Sequence, residues 1–318
     1  FIDKSIADGA AITSWDWNFG DPASGSLNYS TLQNPSHEYS SPGNYQVILI
    51  TQDANGCSDS DTVNITVEPA PIADFIADSV CLGQSMSFID QSFSAGQPIV
   101  SWYWEFGDGA TSTNANPTHS YAIPGYYDVL LVVETAGGCS DEIVKQVKVH
   151  YLPVANFEWT AGIACENDTT QFTDLSAPVG NATITSWFWQ FGDGQTSSLQ
   201  HPAHYYAAAG NYAVNLLVTD TNGCQNSITK NLSVAQAPVS NFIFDNSDCD
   251  SVAFTSTGYD PNGLNITAWY WDFDDPASGG NNISSQQNPY HQYVNGGTYE
   301  VMHIVINQNG CRDTTFQQ

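Results

Sequence analysis

Apolar and polar residues alternate along this chain in short runs, and the clearest run occurs four times. Trp15, Trp17 and Phe19 fall at every second position, as do Trp102, Trp104 and Phe106, Trp187, Trp189 and Phe191, and Trp269, Trp271 and Phe273. The residue between the tryptophans is Asp, Tyr, Phe or Tyr, so only one face of the run is constrained. A period of two is that of a β-strand with one face buried, and it predicts four strands whose aromatic side points inward. A second alternation follows each one, as Tyr45-Val47-Leu49, Tyr127-Val129-Leu131, Tyr212-Val214-Leu216 and Tyr299-Val301-His303. It ends at Asn55-Gly56-Cys57, Gly137-Gly138-Cys139, Asn222-Gly223-Cys224 and Asn309-Gly310-Cys311. Such pairs tolerate positive φ and predict the tight turn of a hairpin. No segment shows a helical period with caps.

The chain is therefore an internal repeat. Its leading tryptophans, Trp15, Trp102, Trp187 and Trp269, recur at a nearly constant spacing. Between the two strands each copy carries a His-x-Tyr-like marker at His37/Tyr39, His119/Tyr121, His204/Tyr206 and His291/Tyr293. Several short strands in about 85 residues, punctuated by turns, predict a two-sheet sandwich. Boundaries at Pro71, Pro153 and Pro238 give units 1–69, 70–152, 153–236 and 237–318. The junctions are almost without linker, and proline keeps them extended and stiff. With strands of about ten residues, each unit would be about 35 to 40 Å long and the array on the order of 150 Å.

Composition narrows the function. The 318 residues hold 5 Lys+Arg against 33 Asp+Glu, a net charge of −28, or about −7 per unit. Five scattered cations cannot neutralise a phosphate backbone or an anionic lipid surface, which argues against nucleic acid and direct membrane partners. Hydrophobic residues at 41% and aromatics at 13% exclude a disordered acidic chain. The longest apolar runs, such as Val129–Val133, are far too short to span a bilayer.

Trp-x-Trp-x-Phe-Gly-Asp-Gly, then Asn-Pro-x-His-x-Tyr, then Pro-Gly-x-Tyr-x-Val resembles the PKD (polycystic kidney disease) repeat. Units two and three carry the full signature at Phe106-Gly107-Asp108-Gly109 and Phe191-Gly192-Asp193-Gly194; units one and four have longer loops at Gly20–Gly25 and Asp274–Gly279. The resemblance implies an all-β chain of four tandem immunoglobulin-like sandwiches in an elongated array. With the cysteine pattern, it is similar to repeats in giant surface proteins of Bacteroidota associated with gliding and type 9 secretion. It makes Trp17, Trp104, Trp189 and Trp271 core anchors, and Tyr45, Tyr127, Tyr212 and Tyr299 corner tyrosines with hydroxyls bonded back to the backbone.

Seven cysteines remain to be paired. Cys81 with Cys139, Cys165 with Cys224 and Cys249 with Cys311 are separated by nearly equal lengths of chain. The expectation is three disulfides within units, each tying the start of a sandwich to its final hairpin. Such bridges imply an extracellular or cell-surface setting. Cys57 is left over. Its expected partner would lie upstream of Phe1, so it reads as one half of a bridge to a segment outside this sequence, in an interior piece of a longer array, rather than as a reactive thiol.

Other candidate chemistry competes with packing. His37, His119, His204 and His291 stand at one repeated position and read as fold-forming; a zinc site would need three or four convergent ligands. His303 replaces an inward aliphatic and reads as a core histidine. Trp159, outside the doublets, reads as a contact between adjacent units ahead of a sugar-stacking platform. Asp21, Asp108, Asp193, Asp274 and Asp275 lie in Gly-rich turns and are weak calcium candidates, since no EF-hand or Gly-Gly-x-Gly-x-Asp pattern surrounds them. If the Bacteroidota resemblance holds, Asp-Ser/Thr pairs place O-glycosylation at Thr62, Ser79, Thr169, Ser251 and Thr314. Asn-x-Ser/Thr sequons at Asn28, Asn64, Asn167, Asn181, Asn265 and Asn282 matter only in a eukaryotic secretory route. No hydrolase elbow, zinc-protease, P-loop or dinucleotide motif is present.

The expectation is a non-catalytic stalk, spacer or fibre segment of a larger surface protein, needing no cofactor. Its partners would be its own repeats, further copies of itself in a fibre, or surface glycans and proteins. The alternative is an accessory spacer or carbohydrate-binding region of a secreted hydrolase.

Overall fold

The computed structural model describes residues 1–160, 163–248 and 251–318. It divides into two compact units, Phe1–His150 and Tyr151–Gln318, each holding two repeats. Among the described residues the regular secondary structure is β, apart from short 3₁₀ segments at Pro22–Asn28 and Pro276–Asn282.

In each repeat the tryptophan strand (Ile12–Asn18, Ile99–Glu105, Ile184–Gln190, Ile266–Asp272) runs antiparallel to an outgoing strand (Gly43–Asp53, Gly125–Thr135, Gly210–Asp220, Val301–Asn307). A return strand (Ser58–Val67, Ser140–His150, Gln225–Ala235, Arg312–Gln317) pairs with the outgoing one as a long hairpin. The hairpin turn is held by a side chain at its entrance: Asp53, Asp220 and Asn307 each accept the backbone N–H of the turn cysteine through Oδ1 at 2.9 to 3.0 Å. Thr135 Oγ1 does this for Cys139 at 3.2 Å.

In repeats two and three a short entry strand, Val80–Cys81 or Ala164–Cys165, joins this sheet in parallel at the far end of the return strand. The opposing layer is built from Phe75–Ile76, Met86–Ser87, Ile89–Asp90 and Thr118–His119 in repeat two. In repeat three it is the sheet Phe157–Trp159, Thr169–Asp174, Ala203–Tyr205, and in repeat four Phe242–Asp245, Val252–Ser256, Tyr290–His291. Each tryptophan strand is bulged near its start, where the register slips by one residue at Thr13, Val100, Thr185 and Thr267.

The alternation has the expected consequence. Trp104, Trp189 and Trp271 are fully buried and Trp17 nearly so, against the ring of Phe106, Phe191, Phe273 or Phe19 two residues on. The outer tryptophan of each doublet in repeats one to three donates its indole N–H to a carboxylate on the opposing segment, Trp15 to Asp3, Trp102 to Asp90 and Trp187 to Asp174, each at 2.7 Å. That satisfies the one polar atom these rings carry inward.

Scarce cations have a structural assignment too. Lys145 and Lys230 lie opposite Val129 and Val214 in the hairpin. Each reaches across to the first strand of its repeat: Lys145 to Asp74 Oδ1 and the Phe75 carbonyl, Lys230 to Asn156 Oδ1 and the Phe157 carbonyl. Gln317 does the same for Asn241 and Phe242 in repeat four.

Candidate functional site: the histidine corner and the stapled junction

The loop after the tryptophan strand turns sharply because its first residue is left-handed. Gly20, Gly107 and Gly192 have φ of 73°, 81° and 85°, and a Cβ on Gly107 would stand 2.6 Å from the Asp128 carbonyl. Repeat four places Asp274 there at φ 58°, with its Oδ2 accepting the Glu300 N–H at 3.1 Å.

The turn delivers an aspartate to the repeated histidine. His119 Nε2 lies 2.7 Å from Asp108 Oδ2 and His204 Nε2 2.7 Å from Asp193 Oδ2. In repeats one and four the longer 3₁₀ loop covers the pair, and Asp21 with His37 and Asp275 with His291 are buried at 3.4 and 3.2 Å. Burial alone would raise the Asp108 carboxyl, but the bonds from His119 and the Ala110 N–H bring it below the usual carboxylate range. Asp21 is lowered mainly by the Ser40 N–H, with the Ser40 hydroxyl and His37 adding to it.

Each histidine ring stacks on the motif phenylalanine, at 3.9 to 4.4 Å between centroids, and meets its tyrosine edge-on at 4.5 to 4.6 Å. The corner tyrosines Tyr45, Tyr127, Tyr212 and Tyr299 donate to the carbonyl four residues back, at 2.5 to 2.8 Å. Burial, followed by the nearby aspartate charge, pushes the Tyr121 and Tyr206 hydroxyls upward; these donate to the Phe106 and Phe191 carbonyls. In repeats two to four the corner is a hydrogen-bonded stack, whereas in repeat one His37 Nε2, 3.4 Å from Asp21 Oδ2, is buried without a hydrogen-bond partner. The corner aspartates are dispersed among the repeats, and among the described residues no three His, Cys, Asp or Glu side chains gather to hold a metal. Asp21, Asp108, Asp193, Asp274 and Asp275 accept the backbone N–H groups of Ser40, Ala110, Gln195, Glu300 and Val294.

The remaining isolated residues are also internal. Trp159 packs on Phe157 and Phe172 inside repeat three. His303 is fully buried under Trp271, with ring centroids 4.0 Å apart. Asn28 is buried and bonded to Asn18 and the Asp21 N–H, which closes its sequon in the folded chain. Thr62, Ser79, Thr169 and Thr314 are exposed and Ser251 is half-buried.

The cysteines correct the sequence reading. Cys165 is bonded to Cys311 of the next repeat, with Cα atoms 5.5 Å apart. Cys139 and Cys57 are free thiols, whereas Cys81 and Cys224 are each in a disulfide. The pairs Cys81–Cys139 and Cys165–Cys224 therefore do not form, and Cys311 is not bonded to Cys249, which lies outside the described residues. The reason is topological. Cys165 pairs with Ala235 at the last residue of the return strand, while Cys224 precedes its first. The strand's 11 residues, at roughly 3.4 Å each, put about 35 Å between them, far beyond a disulfide's reach. Cys81, beside His150 at the end of Ser140–His150, is equally remote from Cys139.

Around the bridge, the junction between repeats three and four is tied by polar contacts. The Glu166 carboxylate accepts the N–H of Ala209 at 2.8 Å and of Ala237 at 3.0 Å, and Asp313 Oδ2 accepts the Ser240 N–H at 2.7 Å. Asp141 and Asn226 hold the corresponding segments at Ala73 and Pro153. Sequence reasoning singled out none of these; the acid or amide two residues after each hairpin cysteine was the available signal.

The family model described as "PKD domain" matches residues 2–67, 68–151, 150–236 and 235–318, which covers essentially the whole chain. The chain belongs to the PKD domain family. A crystal structure of the PKD1 domain from Vibrio cholerae metalloprotease PrtV is 40% identical, covering 26% of this chain and 98% of that one with a TM-score of 0.24. The PKD1 domain of Vibrio anguillarum Epp is 30% identical over the same shares, with a TM-score of 0.25. Among full-length relatives, the pre-pro-metalloprotease PrtV of Vibrio cholerae is 30% identical over 151 residues, 46% of this chain and 16% of that protein. Collagenase ColA of Bacillus cereus is 35% identical over 72 residues, 23% of this chain and 8% of the collagenase. The matches thus span less than a fifth of these relatives. Among the described residues no helix is long and apolar enough to cross a membrane.

Proposed function

We propose that this segment is a non-catalytic, extracellular structural spacer, a stalk or fibre segment within a larger surface protein. One observation carries the reading: the repeated Asp, His, Tyr and Lys side chains, which an enzyme would present to a substrate, bond the fold itself in copy after copy. Disulfides support an oxidising compartment. Repetition gives a chain length or valency rather than a unique site. Neighbouring repeats are its first partners; lateral association or glycan binding would add to that role. The test is incubation of the purified chain with casein, gelatin and a polysaccharide panel, alongside a glycan array. No turnover and no array binding is the expected result, and turnover abolished by a substitution within one repeat would overturn it.

A second reading is favoured by the relatives, a metalloprotease and a collagenase of which the PKD-like part is a small share. Here the segment would separate the catalytic domain of a protease from its other modules. Replacing it in the parent chain by a flexible linker of equal length separates the readings: altered hydrolysis of a fibrous substrate supports the accessory role, and altered surface attachment supports the stalk.

A further inference from the structure

The bridge between Cys165 and Cys311 joins a residue near the start of repeat three to one near the end of repeat four, across a sequence separation of 146. Both tryptophan strands, both outgoing strands and the return strand of repeat three lie inside that covalent loop. Outside it, within Tyr151–Gln318, the described strands are Phe157–Trp159, the first residue of Ala164–Cys165 and the final strand Arg312–Gln317. Tension applied to Tyr151 and Gln318 therefore has two routes. One runs through the whole chain; the other leaves the backbone at Cys165, crosses the sulfur–sulfur bond and rejoins it at Cys311.

We propose that this bridge is a mechanical bypass, which carries load past the cores of repeats three and four. Under tension only the outer strands can peel away. The hairpin Gly210–Ala235 and the buried tryptophans Trp189 and Trp271 stay out of the load path, so neither repeat can be drawn out to its contour length. A bridge within each repeat would behave differently. Closing Cys165 to Cys224 would shield only the part of repeat three between those two cysteines and leave the junction and repeat four loaded. The crossed pairing shields the junction as well, where the Glu166 carboxylate of repeat three accepts the Ala237 N–H at the start of repeat four. The biological meaning of the bypass rests on the spacer reading, but its existence does not.

The test pulls the full chain between handles placed at Tyr151 and Gln318, as wild type and as the Cys165→Ser/Cys311→Ser double variant, without reductant. Fully extended residues span at most about 3.6 Å each, so the variant should extend about 500 Å further than wild type before the final rise in force. This end-point length does not depend on how well the variant folds. A difference of about 200 Å, the extended length of chain between Cys165 and Cys224, would indicate closure within repeat three and overturn the bypass. Equal lengths would show that no bridge shields this segment, and would overturn it too. Neither outcome touches the spacer reading, which rests on absent turnover and on attachment.

Discussion

Ser240 Oγ lies 3.0 Å from His303 Nδ1 and donates to the His303 carbonyl at 2.8 Å. A hydroxyl has one proton to give, so the ring nitrogen must be the donor in the other bond, which fixes the Nδ1–H tautomer. Nε2 is then a bare acceptor, buried without a partner in the core. The equivalent positions in repeats two and three are Ala73 with Leu131 and Ala155 with Leu216. Repeat four has exchanged an apolar pair for a polar one, both members together.

The exchange should make repeat four sensitive to acid. Burial pushes His303 down to about 4 from its ordinary 6.5, because a proton on Nε2 would be buried without an acceptor. Between those values the unfolded chain takes up a proton that the folded chain refuses. Stability is therefore full above about pH 6.5 and falls as pH drops toward 4, by on the order of 2 kcal/mol. Hydrogen exchange of the strand Val301–Asn307 at pH 7 and pH 4.5 measures it. His303→Leu with Ser240→Ala should remove the difference; an unchanged difference would assign it to other groups.

Removing one member alone should cost more than removing both. Ser240→Ala strips the acceptor from His303 Nδ1–H and should destabilise repeat four by about 1 to 3 kcal/mol, as for a buried donor left unpaired. Adding His303→Leu should recover that loss or exceed it. Denaturant melts of the two variants against wild type read the sign.

Gly107 should resist substitution. At φ 81°, with a Cβ meeting the Asp128 carbonyl at 2.6 Å, Gly107→Ala should cost about 2 to 3 kcal/mol through backbone strain and displacement of the outgoing strand. The matching change Asp274→Gly should be nearly neutral, since the strain relieved there offsets the lost bond to Glu300. Thermal melts that rank these two in the reverse order would contradict the account of the turn.

The bridge should also stabilise at equilibrium. By the chain-entropy estimate a loop of this size contributes about 5 kcal/mol, and Cys165→Ser/Cys311→Ser should lower the denaturant midpoint of repeats three and four accordingly. Tryptophan emission from Trp189 and Trp271 follows the transition.

Much of the architecture was legible because four copies constrain one another. Trp-x-Trp-x-Phe revealed its strand by period alone, and the recurrence of His before Tyr distinguished a stack from a ligand set. The cysteine partners were hidden for a physical reason. Sequence order shows that Cys165 opens a repeat and Cys224 opens its return strand, but not that the entry strand runs parallel to that strand at its far end. Such pairing is set by packing across the sheet, which leaves no periodic trace. The Ser240 exchange was visible, as Pro-x-Ser where two other junctions read Pro-x-Ala, yet it acquires meaning only when His303 is placed against it.

The pairing itself is the most direct test of how the repeats are joined, and the scarcity of cations makes it simple. Trypsin cuts this region only after Lys148, Lys230 and Arg312, leaving Cys165 and Cys224 on the peptide 149–230 and Cys249 and Cys311 on the peptide 231–312. Mass spectrometry of a non-reduced digest of the folded, thiol-blocked chain should find both peptides in one disulfide-linked species that contains a Cys165–Cys311 link and in which Cys224 is also oxidised, and should find them separate after reduction. Peptides that separate without reduction, each closed on itself through Cys165–Cys224 and Cys249–Cys311, would contradict it.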